Sequence, residues 1–193
     1  FWIGTHAAGL LLWDRDTETY VQYQYNPKNK TGIGAFGITA ISEDAKGRIW
    51  IGTWGGGLNL FNPETKTFTH YFKENGLPSN VISGIIPDNA GNLWLSTKNG
   101  ISFFNSEKGT FKNFDEDDGL QGSEFFTGPY AINNRGYMYF GGSTGMTEII
   151  PGNIRENTRI PAVVITDMKK VDRDGIQTNM DVTASNLNLS YWE

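Results

Sequence analysis

The chain has no cysteine. That excludes disulfides, thiolate metal sites and cysteine nucleophiles, although it leaves the cellular compartment open. It also lacks a basic surplus: 16 Lys and Arg stand against 21 Asp and Glu, for a net charge of −5. With no excess of cations to neutralise phosphates, nucleic acid is not an expected partner. No apolar run approaches the roughly 18 residues of a membrane span. No charged-then-apolar signal segment opens the chain. Catalytic words are missing too: there is no Gly-x-Ser-x-Gly elbow, no His-Glu-x-x-His and no kinase signature. Histidine is rare, with His6 and His70 alone. On different strands, those two do not make a metal site.

What is abundant is glycine, 24 of 193 residues, together with 6 Trp, 8 Tyr and 12 Phe. A usual glycine content is about 7%. Glycine and aromatics in this proportion, with few helix formers, point to short strands and tight turns. A chain of this length buries roughly 70% of its unfolded surface, so a sizeable core is expected.

The chain repeats itself. Gly47-Arg48-Ile49-Trp50-Ile51-Gly52-Thr53, followed by Gly57-Leu58, returns as Gly91-Asn92-Leu93-Trp94-Leu95-Ser96-Thr97, then Gly100-Ile101. A weaker copy is Gly136-Tyr137-Met138-Tyr139-Phe140-Gly141-Gly142, and Phe1-Trp2-Ile3-Gly4-Thr5 opens the chain with another. The intervals are 48, 44 and 45 residues, from Trp2 to Trp50 to Trp94 to Tyr139. A strand-rich period of about 40–50 residues is the signature of a β-propeller.

One period divides into four strands: Ile38 to Ser42, Arg48 to Thr53, Gly57 to Phe61, and Phe68 to Phe72. Polar turns with Gly or Pro separate them. The fourth alternates aromatic and polar residues, as an exposed outer strand does. His70 is then a solvated edge residue. The recurring Trp of the second strand is placed to fill the space between neighbouring sheets. The expected fold is all-β: a partial propeller of four-stranded antiparallel blades over residues 1–155, about three and a half repeats, the first incomplete. After Asn153-Ile154 the period is not renewed, and residues 156–193 read as a different β-rich module.

In propellers, ligands meet the face made by the turns between second and third strands and by the links between blades. Those segments supply the candidate ligand-binding residues Trp54, His6, Lys98, Tyr25 and Asn26. Trp54 is an extra Trp outside the repeat position, flanked by glycines that allow close approach, and its flat ring suits sugar C–H groups. Thr31-Gly32-Ile33-Gly34-Ala35-Phe36-Gly37 lacks nucleotide-binding spacing and reads as a mobile interblade loop. Asp115-Glu116-Asp117-Asp118-Gly119 lacks the spaced ligands of a calcium loop and reads as a repeat turn with extra charge. No catalytic residue, metal or cofactor is expected.

The words Gly-x-Leu/Ile-Trp-Ile-Gly-Thr, Gly-Leu, Phe-Asn-Pro-x-Thr-x-x-Phe and Asn-Gly-Leu-Pro-Ser-Asn-Val-Ile, in that order, resemble the two-component regulator propeller repeat. The resemblance covers about 150 of the 193 residues, with the best copy at 38–81. It implies the periplasmic sensor region of a hybrid two-component histidine kinase, with an oligosaccharide as ligand. It also implies a homodimer in the full-length sensor and a membrane helix and kinase outside these residues. Residues 156–193 would begin the Ig-like β-sandwich that follows such propellers, so the chain is expected to be a piece of a larger protein. Two alternatives remain: a propeller lyase of the streptogramin-lyase type, with His6 as the residue to test, and a protein-interaction scaffold.

Overall fold

A computed structural model describes residues 1–154, 169–171 and 177–179. The chain divides into two compact units, Phe1–Ile154 and Arg155–Glu193. The first unit is four antiparallel sheets in sequence order. Sheet one holds β1 (Trp2–Gly4), β2 (Leu10–Asp14) and β3 (Thr19–Tyr23). Sheet two holds β4 (Ile38–Glu43), β5 (Ile49–Thr53), β6 (Leu58–Asn62) and β7 (Thr67–Tyr71). Sheet three holds β8 (Ile82–Pro87), β9 (Leu93–Thr97), β10 (Ile101–Asn105) and β11 (Thr110–Phe114). Sheet four holds β12 (Phe125–Ile132), β13 (Met138–Gly142) and β14 (Gly145–Ile149). These are successive blades of a partial β-propeller. Blade one starts at the second strand of the repeat, as Trp2 in β1 requires. Blade four has three strands among the described residues. In the second unit, β15 (Lys169–Val171) pairs with β16 (Gln177–Asn179). The Ig-like module expected over 156–193 otherwise lies outside the described residues.

Strand alternation builds the seams between blades. Successive side chains of a strand point to opposite faces. In β5, Ile49 and Ile51 enter the cluster shared with blade one, alongside Leu10, Ile33, Phe61 and Phe68. Trp50 enters the opposite cluster, shared with blade three, among Leu58, Ile82, Ile85, Leu93, Leu95 and Phe104. The Trp50 ring meets Phe104 edge-on at 5.6 Å. In β9 the pattern repeats: Leu93 and Leu95 face blade two, and Trp94 faces blade four with Phe125, Met138 and Phe140. A blade inside the series is therefore apolar on both faces, and β9 is buried throughout.

Two local expectations need correction. The fourth strand is not simply exposed. Phe68 of β7 is buried against Tyr23 and Phe61, because blade one lies over that face. His70 is not a solvated edge residue either. It is half-buried, its Nε2 lies 2.7 Å from the Gly32 carbonyl oxygen, and its ring stacks on Phe72.

The glycine of the Gly-Leu/Gly-Ile word has a geometric reason. Gly9, Gly57 and Gly100 take φ of +81°, +66° and +90°. A Cβ at Gly57 would fall 2.1 Å from the Tyr71 carbonyl oxygen, and one at Gly100 would fall 2.3 Å from that of Phe114. Only glycine meets both demands. The preceding threonine closes the same turn: Thr5, Thr53 and Thr97 Oγ1 donate to Gly9, Gly57 and Gly100 carbonyls at 2.7, 2.9 and 2.9 Å. These turns are therefore rigid platforms for whatever side chain they carry.

Candidate ligand-binding site

Trp54 follows Thr53 on one such platform. Its N–H donates to the Gly37 carbonyl at 2.8 Å, and it forms a bridge with Val81, at the start of blade three. The backbone is held on two sides, yet the side chain is 51% exposed. Beside it opens a cleft of about 750 Å³ lined by His6, Tyr25, Gly34, Ala35, Phe36, Gly37, Trp54 and Gly55. Tyr25 and Phe36 meet edge-on at 5.0 Å in its wall. A second cleft, of about 460 Å³, shares Tyr25, Gly34 and Gly55 and adds Asn26, Lys30, His70 and Phe72 among its lining residues.

The floor between the two clefts is the glycine-rich stretch, and it is fastened rather than loose. Gly34 N–H donates to the buried Asn59 Oδ1 at 2.9 Å. A Cβ on Gly34 would lie 2.5 Å from the Gly56 carbonyl oxygen, and one on Gly56 would lie 2.3 Å from the Gly34 carbonyl carbon. Phe68 N–H also donates to Thr31 O at 2.8 Å. The sequence reading of a mobile loop is thus replaced by a close backbone-to-backbone contact between the link and the Trp54 turn. Such a contact needs glycine on both sides, because any side chain would separate the strands of backbone.

Of the five residues singled out in the sequence, His6, Tyr25 and Trp54 share the first cleft, and Tyr25 and Asn26 share the second. Asn26 spends its side-chain oxygen on a local turn, accepting from Lys28 N–H at 2.9 Å. Lys98 lines neither cleft but touches the same group. Its Nζ stands 5.6 Å from the centre of the Trp54 ring and 5.3 Å from that of Phe126, and pairs with Glu124 Oε1 at 2.9 Å. Both rings are within reach of a cation–π attraction. The platform turns of blades two and three and the first residues of blade four thus meet around one ammonium group.

Sequence reasoning missed Phe36 and Phe126, which are 51% and 47% exposed, and the cleft residues Lys30 and His70. A signal existed for Phe36: a lone aromatic between Gly34 and Gly37, where no strand needs one. Phe126 carried none, since Phe125-Phe126 reads as an ordinary strand start and only Phe125 turns into the core. The acidic turn Asp115–Gly119 is a tight helical turn, in which Asp115 accepts from Asp117 N–H, and Lys73–Gly76 makes the same turn in the preceding blade. The described residues hold no group of three or more His, Cys, Asp or Glu able to bind a metal.

Fold and site together define a β-propeller whose side chains gather on one face, at the inter-blade cleft. The family model of the two component regulator propeller matches residues 37–55 and 76–99. Histidine kinase P4 of Formosa agariphila is 32% identical over 97 residues, which are 50% of this chain and 7% of the kinase. Among solved structures, the extracellular domain of the hybrid two-component system BT4673 from B. thetaiotaomicron superimposes with a TM-score of 0.64 at 23% identity. That match covers 79% of this chain and 21% of the other. Virginiamycin B lyase from Staphylococcus aureus shares the fold at a TM-score of 0.53 and 16% identity, over 95% of this chain and 67% of the lyase. The chain thus spans a small fraction of the sensor proteins it resembles.

Proposed function

We propose that this chain is part of the extracytoplasmic ligand-sensing region of a hybrid two-component sensor, and that the cleft beside Trp54 binds an oligosaccharide. The reading rests on the repeats and on one observation above all. An indole held by its backbone on two sides, yet half exposed, lines a cleft with Tyr25, Phe36 and His6. Flat apolar rings next to hydrogen-bonding groups are the chemistry that sugar rings need, with C–H faces to stack and hydroxyls to pair. The segment acts as a binding module and not as an enzyme. It sits on the periplasmic side, in a receptor that dimerises and connects to a histidine kinase through a membrane helix beyond these residues. A ligand that prefers one arrangement of the receptor over another shifts the signalling equilibrium by that difference in affinity.

The test is titration of the full-length receptor with a panel of oligosaccharides by calorimetry, for the native protein and Trp54→Ala. Loss of the ring is expected to weaken binding by roughly 1–3 kcal/mol, the size of an aromatic stacking contact. An unchanged affinity would reject Trp54 as a contact.

A further inference from the structure

The two adjacent clefts are lined without any carboxylate. Their lining holds His6, His70 and Lys30 and no Asp or Glu, in a chain whose overall charge is −5. Acidic residues outnumber basic ones elsewhere, so the lining of the clefts departs in sign from the molecule as a whole. Beyond the Trp54 ring stands Lys98, whose ammonium lies over two exposed rings and keeps one partner, Glu124. The Lys98 side chain is mostly buried while Glu124 is more than half exposed. The cation is thus fixed by its surroundings, whereas its carboxylate partner lies in solvent and is easily displaced. A pair with its carboxylate in solvent contributes little by itself. An ammonium held in place beside an aromatic platform is, in contrast, a ready anchor for a ligand carboxylate or sulfate.

We infer that the site selects acidic saccharides, with Lys98 as the anionic anchor beside the Trp54 platform and Glu124 as an internal stand-in that the ligand's acid group replaces. This rests on the glycan reading of the same cleft and narrows it to one chemical class. Carboxylated and sulfated sugars share the anionic chemistry, and the experiment separates them.

The full-length receptor is titrated with three probes: an oligogalacturonate carrying only carboxylates, a carrageenan oligosaccharide carrying only sulfates, and a neutral galacto-oligosaccharide. At least one acidic probe is expected to bind tenfold or more tighter than the neutral one, with an affinity that falls as salt is raised. Lys98→Gln should cost that probe at least tenfold and flatten its salt dependence, with a distinctly smaller loss for the neutral probe. Glu124→Gln should strengthen acidic binding severalfold, because the competing carboxylate is gone. A merely structural role for the pair predicts the opposite for Glu124→Gln, a loss for every probe. Neutral binding as tight as acidic binding, or an acidic affinity indifferent to Lys98→Gln, overturns the inference while leaving the glycan reading intact. Binding of none of the three probes counts against both.

Discussion

Asp44 ties a whole turn to the seam behind it. It is 5% exposed, and its carboxylate accepts from Lys46 N–H, Arg48 N–H, Arg48 Nε and, at 2.8 Å, Trp50 Nε1. Burial alone would raise its pKa. The hydrogen bonds from Trp50, Arg48 and Lys46 outweigh burial and hold the carboxyl below the ordinary aspartate range. The unfolded chain therefore takes up the proton first, at a pH of roughly 4. The stabilisation is complete above that pH and is lost as pH falls through the folded value. Asp44→Ala strands the indole N–H and part of a guanidinium in a buried place, at a cost of about 2–4 kcal/mol. Thermal unfolding at pH 7 should show that loss, and the gap to the native protein should narrow as the pH is lowered below about 4. Blade three departs from this pattern. Asp88 there turns to Asn92 Nδ2 at 3.0 Å, and the Trp94 indole N–H has no partner. In both blades the residue four places after the aspartate, Arg48 or Asn92, is its side-chain partner.

At the scale of the element, the turn that carries Trp54 and the link that carries Phe36 act as one unit, because Gly34 and Gly56 touch through their backbones. Gly34→Ala puts a methyl 2.5 Å from a carbonyl oxygen. With backbone on both sides the chain has to part, costing about 1–3 kcal/mol as overpacking does, and the cleft floor moves with it. Gly109→Ala, on the turn between β10 and β11 and away from both clefts, is the control. Gly109 has φ of +67° but nothing within 4 Å of a Cβ, so its cost is the backbone strain alone, about 1–2 kcal/mol. Both variants should lose stability in denaturant titrations. Only Gly34→Ala should also alter the fluorescence of Trp54 and the affinity of the cleft. Equal affinity in the two variants would show that the contact does not shape the site. The strands, the seam position of the recurring Trp and the glycine-marked turns were readable from the sequence, because each is a short-range rule acting within about six residues. The burial of Phe68 and the pairing of His70 with Gly32 were not. Both depend on a neighbouring blade or link 38 or more residues distant in sequence.

For the molecule as a whole, the blades are joined by apolar seams and only trimmed by ion pairs. The seam between blades two and three closes around Trp50, which is fully buried, and Phe104. On the face opposite the clefts, Arg48 Nη2 reaches Ser106 Oγ at 2.7 Å and Gly91 O at 3.0 Å across the same seam. Lys46 reaches Glu107 at 2.6 Å, with both side chains exposed. Trp50→Ala should therefore cost about 3–5 kcal/mol, whereas Glu107→Ala, at a solvent-screened pair, should leave stability nearly unchanged, as read by chemical denaturation. A comparable loss in both would mean that the rim and not the seam holds the blades. The outer blades present apolar side chains to solvent, Phe1, Ile3, Tyr20 and Val21 on blade one and Ile132 and Met146 on blade four. Within blades two and three, by contrast, Trp54 alone among large apolar residues is exposed, and it lines the first cleft.

The amino-acid sequence determined the repeat, the strands within it, the rigid turn at the end of each second strand and the residue mounted on that turn. Those follow from side-chain alternation, positive-φ glycine and hydroxyl capping, which act over a few residues and need no knowledge of the neighbouring blade. Tertiary structure alone decided that Trp54, Lys98 and Phe126 stand together, that Gly34 lies on Gly56, and that the two clefts share Tyr25. Their partners come from different blades or links. Which side chains meet there depends on the rotation between successive sheets, and that rotation is set by how Trp50, Trp94 and the seams around them pack.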